Sequence, residues 1–172
     1  DVQHWRAISA AVLTGIDTVL ADDCLLNVRH LAGVDDTHSV VQPKRIILDR
    51  QGRLPVSAQI LQQPETVMVM GPYRAELAAL GVIQLAVQPL ATLLAQLVQQ
   101  HQIYEVLVEA GATLSTAFLP EGWVDEVISY VAPTLLGRSA RTMFNAEFEQ
   151  MAEQLRFKLY DVTQLGDDVR LR

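Results

Sequence analysis

The sequence predicts an α/β protein built around a mainly parallel sheet. Short apolar runs rich in β-branched residues, which are typical of strands covered on both faces, recur at residues 45–49, 67–70 and 105–109. Segments with helical spacing alternate with these runs, and the end of the chain carries strand patterns alone. Alternating strands and helices followed by strands indicate a parallel sheet with antiparallel strands added at one side.

The first third begins with a helix. Residues 2–9 are predicted as helix, 10–13 as a short strand ending in Thr14 and Gly15, and 16–21 as a second helix. We expect Asp17 to cap the second helix and the pair at 22–23 to end it. Residues 30–43, which are rich in turn-forming residues, are interpreted as a loop that either acts as a lid or has no such role.

The remaining elements follow the same patterns. Further strands are predicted at 84–87 and 124–131, with helices at 90–98, behind Pro89, and at 113–118. Residues 157–162 and 169–171 indicate a hairpin around Gly166.

Composition excludes several classes of protein. The 172 residues are 50% hydrophobic, enough for one domain with a core, and the net charge of -7 argues against nucleic-acid or membrane-surface partners. The single cysteine, Cys24, excludes an internal disulfide, fits the cytoplasm, and is interpreted as a packed side chain rather than a nucleophile. The four histidines show no metal-ligand spacing, so we predict no metal. No apolar run approaches the ~20 residues of a membrane helix.

The segment at 106–114 is the most informative in the chain. An apolar strand runs through Glu109 and Gly111 into a helix, an arrangement whose free amides can seat a phosphate or pyrophosphate. An ordinary strand-to-helix turn explains the same residues, because one glycine is weaker than a full dinucleotide fingerprint.

Other candidates lie at or near strand ends. Arg50 fits the 2'-phosphate of NADP or a solvated turn, and the same holds for Arg53. Thr18 and Asp22, four apart, share one helix face and suit a ribose, an amide or a plain polar surface.

Two arginines and one glutamate are candidates for contact with a substrate. Arg6 and Arg29 can hold a substrate phosphate or pair with the acidic residues at 22–23. Glu109, at the carboxyl end of a predicted strand, is the best candidate for a functional carboxylate, and a structural role is the alternative. No nucleophilic triad spacing and no P-loop is present, which disfavours hydrolases and kinases.

Several of these segments coincide with one family. They resemble the reductase domain of bacterial bifunctional riboflavin-biosynthesis deaminase-reductase. The segments are residues 14–23 with Leu26 and Arg29, residues 45–49, Val-Glu-Ala-Gly at 108–111 with Thr113 and Leu114, residues 124–126, and the run 131–137 with its signature Ala-Pro-Thr-Leu-Leu-Gly. The resemblance covers nearly the whole chain. It implies a dihydrofolate-reductase-like fold and NADPH-dependent reduction of the ribosyl group of 5-amino-6-(5-phosphoribosylamino)uracil, a phosphorylated pyrimidine, to a ribityl chain.

The resemblance also assigns residues. For NADPH it implies the following set: Thr18, Asp22, Arg50, Gly111, Ala112, Thr113, Leu114, Ser115, Thr116 and Ala117. For the substrate it implies Arg6, Leu26, Arg29 and Glu109. We hypothesise that Glu109 or Asp22 assists proton transfer to the opening sugar.

Organisation and departures complete the expectations. We expect residues 1–172 to be a single reductase domain that lacks an N-terminal strand and any deaminase domain, and to form a homodimer. Cys24 stands where the family commonly has Pro, and Arg50 where it commonly has Ser. The alternatives are a same-fold reductase of another pterin-like or pyrimidine substrate, and a catalytically silent domain for dimerisation or nucleotide binding.

Overall fold

The computed structural model describes residues 1–31, 33 and 40–172 of the chain. Its contacts divide the chain into two compact units, residues 1–111 and 112–172. Half of the predicted loop at 30–43, residues 32 and 34–39, lies outside the described residues, and both of its interpretations remain predictions. A single domain over 1–172 also remains a prediction.

The first unit is organised around a five-stranded parallel sheet. Its strands are β1 (Ala11–Gly15), β2 (Lys44–Leu48), β3 (Val67–Met70), β4 (Ile83–Leu85) and β5 (Val106–Val108). They are ordered β4-β3-β2-β1-β5, and every neighbouring pair is parallel. The predicted α/β class with a mainly parallel sheet is therefore confirmed.

The three central strands carry the core of this unit. Every residue of β3, all but the last of β1 and all but the two ends of β2 are buried, which explains why these segments read as continuous apolar runs. Val12 and Ile47 on neighbouring strands belong to one apolar cluster with Ile16 and Val19 of the next helix. Burial of this cluster fixes that helix against one face of the sheet.

The described residues contain five α-helices. They are α1 (Val2–Ile8), α2 (Ile16–Asp22), α3 (Ala75–Ala79), α4 (Leu90–His101) and α5 (Ala112–Phe118). The expected cap of α2 by Asp17 is wrong: Gly15 is the N-cap, and Asp17 already lies in the first turn. The expected end is confirmed, since Asp23 adopts a left-handed conformation with φ 42°. No helix in the described part of the chain is both long and apolar enough to cross a bilayer.

The second unit contains a three-stranded antiparallel sheet. Its strands β6 (Ser129–Val131), β7 (Val162–Leu165) and β8 (Asp168–Leu171) are ordered β6-β8-β7. The hairpin around Gly166 is confirmed, but its first strand begins at Val162 rather than at 157, and β6 is far shorter than the predicted 124–131. Within the described residues these strands pair with one another rather than with the parallel sheet.

Candidate functional site

The strand order creates a topological switch point at the carboxyl edge of the parallel sheet. The chain leaves β1 towards β2, whereas β5 lies on the other side of β1, so the order reverses between β1 and β5. Ligands in open α/β sheets bind at such a switch point. The register pairs Leu13 with Val108, and the N–H of Glu109 donates to the carbonyl of Leu13 at 3.0 Å. Glu109 therefore lies at the switch point, beside Thr14.

Glu109 is held by Arg6, which belongs to α1. The Nε and Nη2 of Arg6 each donate to one carboxylate oxygen of Glu109 at 2.7 Å. The side chains are 10% and 24% exposed, so the pair is largely shielded from water. The hydrogen bonds to Glu109 raise the pKa of Arg6 against the opposing effect of burial. Two residues predicted to bind the substrate, Arg6 and Glu109, therefore bind each other.

A strained turn lies next to this pair. Leu26 is 4% exposed and has φ 50°, a left-handed conformation that costs about 1–2 kcal/mol for an L side chain. The carbonyls on both sides of Leu26 accept hydrogen bonds from arginines: Nη1 of Arg6 donates to Asn27 at 3.3 Å, and Nη1 of Arg45 donates to Leu25 at 3.2 Å. The arginines thus hold the predicted substrate residue Leu26 in a conformation that it rarely adopts.

Arg45 is a residue that the sequence reasoning missed. It is 1% exposed in β2, and besides Leu25 its Nη2 donates to the carbonyl of Gln63 at 2.8 Å and to the hydroxyl of Thr66. Burial lowers the pKa of Arg45, and the charge of Glu65 partly opposes this. The available signal was an arginine inside the apolar strand run at 45–48.

Cys24 lies close to the ion pair. Burial raises the pKa of its thiol, the charges of Asp22 and Glu109 act in the same direction, and its backbone N–H and the charge of Arg6 oppose the shift. The thiol also packs against the apolar cluster, as predicted for a small core side chain.

The other predicted site residues of the first unit have different surroundings. Thr18 is half-buried and Asp22 exposed on α2, where a spacing of four residues puts them on one face. Arg6 does not pair with the acidic residues at 22–23, because Glu109 occupies its guanidinium and Asp23 accepts from Gln59 at 2.9 Å. The side chain of Arg29 is exposed.

Arg50 follows β2 in a tight turn. The preceding residue, Asp49, is fully buried, and its carboxylate accepts from the N–H groups of Arg53 and Leu54 at 2.9 and 2.8 Å. Arg50 itself is exposed. The guanidinium of Arg53 instead forms an exposed pair with Asp17 at 2.7 Å, which ties this turn to α2.

The predicted phosphate seat has the expected strand, turn and helix, with α5 starting at Ala112. A Cβ on Gly111 would meet nothing within 4 Å, so no contact in the described protein demands glycine there. In the second unit, Asn145 contacts α5: its Nδ2 donates to the hydroxyl of Thr113 at 3.0 Å and its backbone N–H to that of Thr116 at 2.8 Å. No pattern in the sequence singles out Asn145.

Among the residues that the structure describes, no three His, Cys, Asp or Glu side chains are grouped so as to hold a metal ion.

Comparison with known proteins decides the family. The family described as the RibD C-terminal domain matches residues 1–171. The chain belongs to this family. The resemblance inferred from the sequence motifs is thereby confirmed.

Curated relatives and a solved structure agree with membership in the RibD C-terminal domain family. RibD of Escherichia coli K12 is 36% identical over 185 residues, covering 99% of this chain and 50% of the relative. The 5-amino-6-(5-phosphoribosylamino)uracil reductase of Buchnera aphidicola from Acyrthosiphon pisum is 30% identical, covering 99% and 89%. A structure of Acinetobacter baumannii RibD is 72% identical with a TM-score of 0.96, covering 99% of this chain and 48% of the other. The chain thus spans about half the length of the RibD relatives that it matches.

Proposed function

We propose that this chain is the reductase domain that uses NADPH to reduce the ribosyl group of 5-amino-6-(5-phosphoribosylamino)uracil to the ribitylamino product in riboflavin biosynthesis. Membership in the RibD C-terminal domain family and similarity to a relative named for this reductase activity support the reaction. The observation that carries the proposal is the position of Glu109, held by Arg6 at the switch point of the sheet. A fixed carboxylate at that edge of the sheet can accept hydrogen bonds from the hydroxyl and N–H groups of such a substrate.

The residues proposed for NADPH fit its chemistry. The cofactor supplies the hydride when it is bound. The exposed guanidinium of Arg50 matches the oxygens of a 2'-phosphate, and Thr18 and Asp22 present a hydroxyl and a carboxylate on one helix face. The segment from Gly111 to Ala117 supplies backbone amides and the hydroxyls at 113, 115 and 116.

The residues proposed for the substrate divide the work. Arg6 neutralises Glu109 and fixes its orientation, which leaves the outer lone pairs of the carboxylate to accept hydrogen bonds from substrate hydroxyl or N–H groups. Leu26 is buried in the apolar cluster, so it contributes through the shape of its left-handed turn rather than through an exposed side chain. Arg29, with its exposed side chain, is the better candidate for the substrate phosphate.

Opening of the sugar needs a proton at the ring oxygen while a hydride is added at C1. The carboxylate of Glu109 is engaged by an arginine, whereas that of Asp22 is exposed and has no hydrogen-bond partner among the described residues. We therefore propose Asp22 as the group that moves the proton and Glu109 as the group that orients the substrate.

Steady-state kinetics of three variants test this division. Asp22→Asn is expected to lower kcat by about a hundredfold, a typical loss for general acid catalysis, with little change in the KM of the pyrimidine substrate. Glu109→Gln is expected to act mainly on the KM of the substrate. Asp17→Asn, on the same helix and exposed, serves as the matched control. Equal kcat for Asp22→Asn and Asp17→Asn would refute the role of Asp22.

We also propose that the domain acts as a homodimer in the cytoplasm. The resemblance to the deaminase-reductase family and the single cysteine support these two statements. Light scattering of the purified protein at several concentrations tests the first, and a molar mass that stays at one chain would contradict it. Fractionation of the cells that make the protein tests the second.

A further inference from the structure

The turn from Asp49 to Leu54 is held from inside by a carboxylate. Both oxygens of Asp49 accept backbone N–H groups, from Arg53 at 2.9 Å and Leu54 at 2.8 Å. The N–H of Asp49 donates to the carbonyl of Met70 at 2.9 Å, and its own carbonyl accepts from Gly52 at 3.1 Å. Every polar group of this buried residue is therefore used to define one short piece of chain.

The same turn is held from outside by Arg74. Its Nη1 donates to the carbonyls of Gly52, at 3.2 Å, and Leu54, while Nε and Nη2 donate to Glu76 at 2.9 and 2.7 Å. Arg74 is the only lysine or arginine between residues 54 and 137, so its cationic side chain stands alone in that half of the sequence. A guanidinium that joins two carbonyls of a turn restricts both peptide planes.

The chain that follows the neighbouring strand β3 packs closely against this turn. A Cβ placed on Gly71, which follows β3, would lie 2.4 Å from the carbonyl oxygen of Asp49. A Cβ on Gly52, whose φ is +69°, would lie 2.9 Å from the ring of Pro72. Two glycines are thus needed for the turn to pack against the next strand end.

One side chain of this turn takes part in none of the contacts of Asp49 and Arg74. Arg50 lies between Asp49 and Gly52, is exposed, and has no hydrogen bond or ion pair with any residue in the described ranges. Holding the backbone on both sides of an exposed guanidinium lowers the entropy lost when that group binds an anion.

We propose that Asp49 and Arg74 are positioning residues that fix Arg50 for the 2'-phosphate of NADPH and so set the preference for NADPH over NADH. This inference rests on the proposed NADPH function and adds the cause of cofactor selectivity. Asp49 and Arg74 act through the backbone of the turn and touch no cofactor atom.

Kinetics with both cofactors test the proposal in the purified protein. The measured quantity is the preference ratio, the value for NADPH divided by that for NADH, obtained both from kcat/KM and, without substrate, from the association constants given by fluorescence titration. Arg50→Met is expected to lower this ratio about tenfold or more, because a charge-assisted contact is lost. Asp49→Asn, which turns an N–H donor towards one backbone N–H, is expected to lower the ratio several-fold through the KM of NADPH, with kcat for NADH preserved.

Two further variants separate positioning from simple destabilisation. The double variant Asp49→Asn, Arg50→Met should have the same ratio as Arg50→Met alone, since Asp49 acts through Arg50. Arg53→Met removes an equal charge from the same turn together with only an exposed ion pair to Asp17, and it should leave the ratio within about twofold of the wild-type value. If Asp49→Asn does not fold, Arg74→Met is measured instead, with the same expected fall.

The outcomes distinguish the inference from the function on which it rests. A wild-type protein that shows no preference, or an Arg50→Met variant with an unchanged ratio, would overturn the proposed contact with the 2'-phosphate and the inference with it. A fall for Arg50→Met, with equal losses for NADPH and NADH in Asp49→Asn and Arg74→Met, would overturn the positioning role alone.

Discussion

Arg6 and Glu109, which are 103 positions apart, form a two-point ion pair at the carboxyl edge of the parallel sheet. The pair joins the first helix to the end of β5. The third donor of the guanidinium, Nη1, reaches the carbonyl of Asn27. One arginine therefore links three separate parts of the chain and sets the position of the carboxylate that we propose to contact the substrate.

Removal of Arg6 is expected to destabilise the fold. Arg6→Met leaves a largely buried carboxylate without its cation, which costs about 3 kcal/mol of unfolding free energy. The double variant Arg6→Met, Glu109→Gln should be more stable than the sum of the single losses predicts, because no unpaired charge remains. Urea unfolding measures all three variants. Arg53→Met, which breaks the exposed pair with Asp17, is the control and should cost less than about 1 kcal/mol. Additive losses would contradict a direct coupling.

Gly71 is expected to tolerate no side chain. Gly71→Ala would place a Cβ 2.4 Å from the carbonyl oxygen of Asp49, so the backbone must move at a cost of about 1–3 kcal/mol. Gly137 has open space around its Cα and an ordinary φ, so Gly137→Ala is the matched control with a near-zero effect. Thermal unfolding compares the two. An equal melting temperature for both variants would show that the contact between β3 and the turn is loose.

Arg45 is expected to matter for both stability and substrate binding. Arg45→Lys keeps the charge but cannot donate to three acceptors in different directions, so a loss of about 1–3 kcal/mol is expected. Because Arg45 holds the carbonyl of Leu25, the KM of the substrate should also rise. Lys44→Met, at the neighbouring position of the same strand, provides the control. An unchanged KM would separate Arg45 from the turn at Leu26.

Asp161 is expected to make the second unit sensitive to acid. Hydrogen bonds from Arg170, and then from Thr163, hold the pKa of Asp161 below its ordinary value of 3.8. A depressed pKa contributes stability above the unfolded value and loses it as the pH falls through the folded value. Asp161→Asn should therefore lower the urea midpoint at pH 7, with a smaller difference from the wild type in strong acid. Asp125→Asn, at an exposed position of the same unit, is the matched control.

The sequence was a good guide to the sheet and a weaker one to short or polar elements. The central strands β1 to β3 were predicted because burial on both faces requires continuous apolar runs. Helix α3, with five residues, has too few turns to show a period. The overlong strand at 124–131 and the early start at 157 arose because alternation does not show which residues have a partner strand.

The candidate site was predictable in its members but not in their pairing. Strand ends pointed to Arg50 and Glu109, because parallel strands present their carboxyl ends at one edge. The choice of Glu109 over the acidic residues at 22–23 as the partner of Arg6 depends on the position of β5 beside β1. Arg45 and Asn145 were missed, since both act through contacts with residues remote in sequence.

Oxidation of NADPH by the purified protein, with 5-amino-6-(5-phosphoribosylamino)uracil as substrate and NADH as the comparison cofactor, tests the central claim most directly. The account predicts turnover that depends on the substrate, prefers NADPH, and falls sharply in Asp22→Asn. Binding of NADPH without turnover would contradict the proposed reaction and favour a catalytically silent domain, and turnover with equal use of NADH would contradict the role given to Arg50.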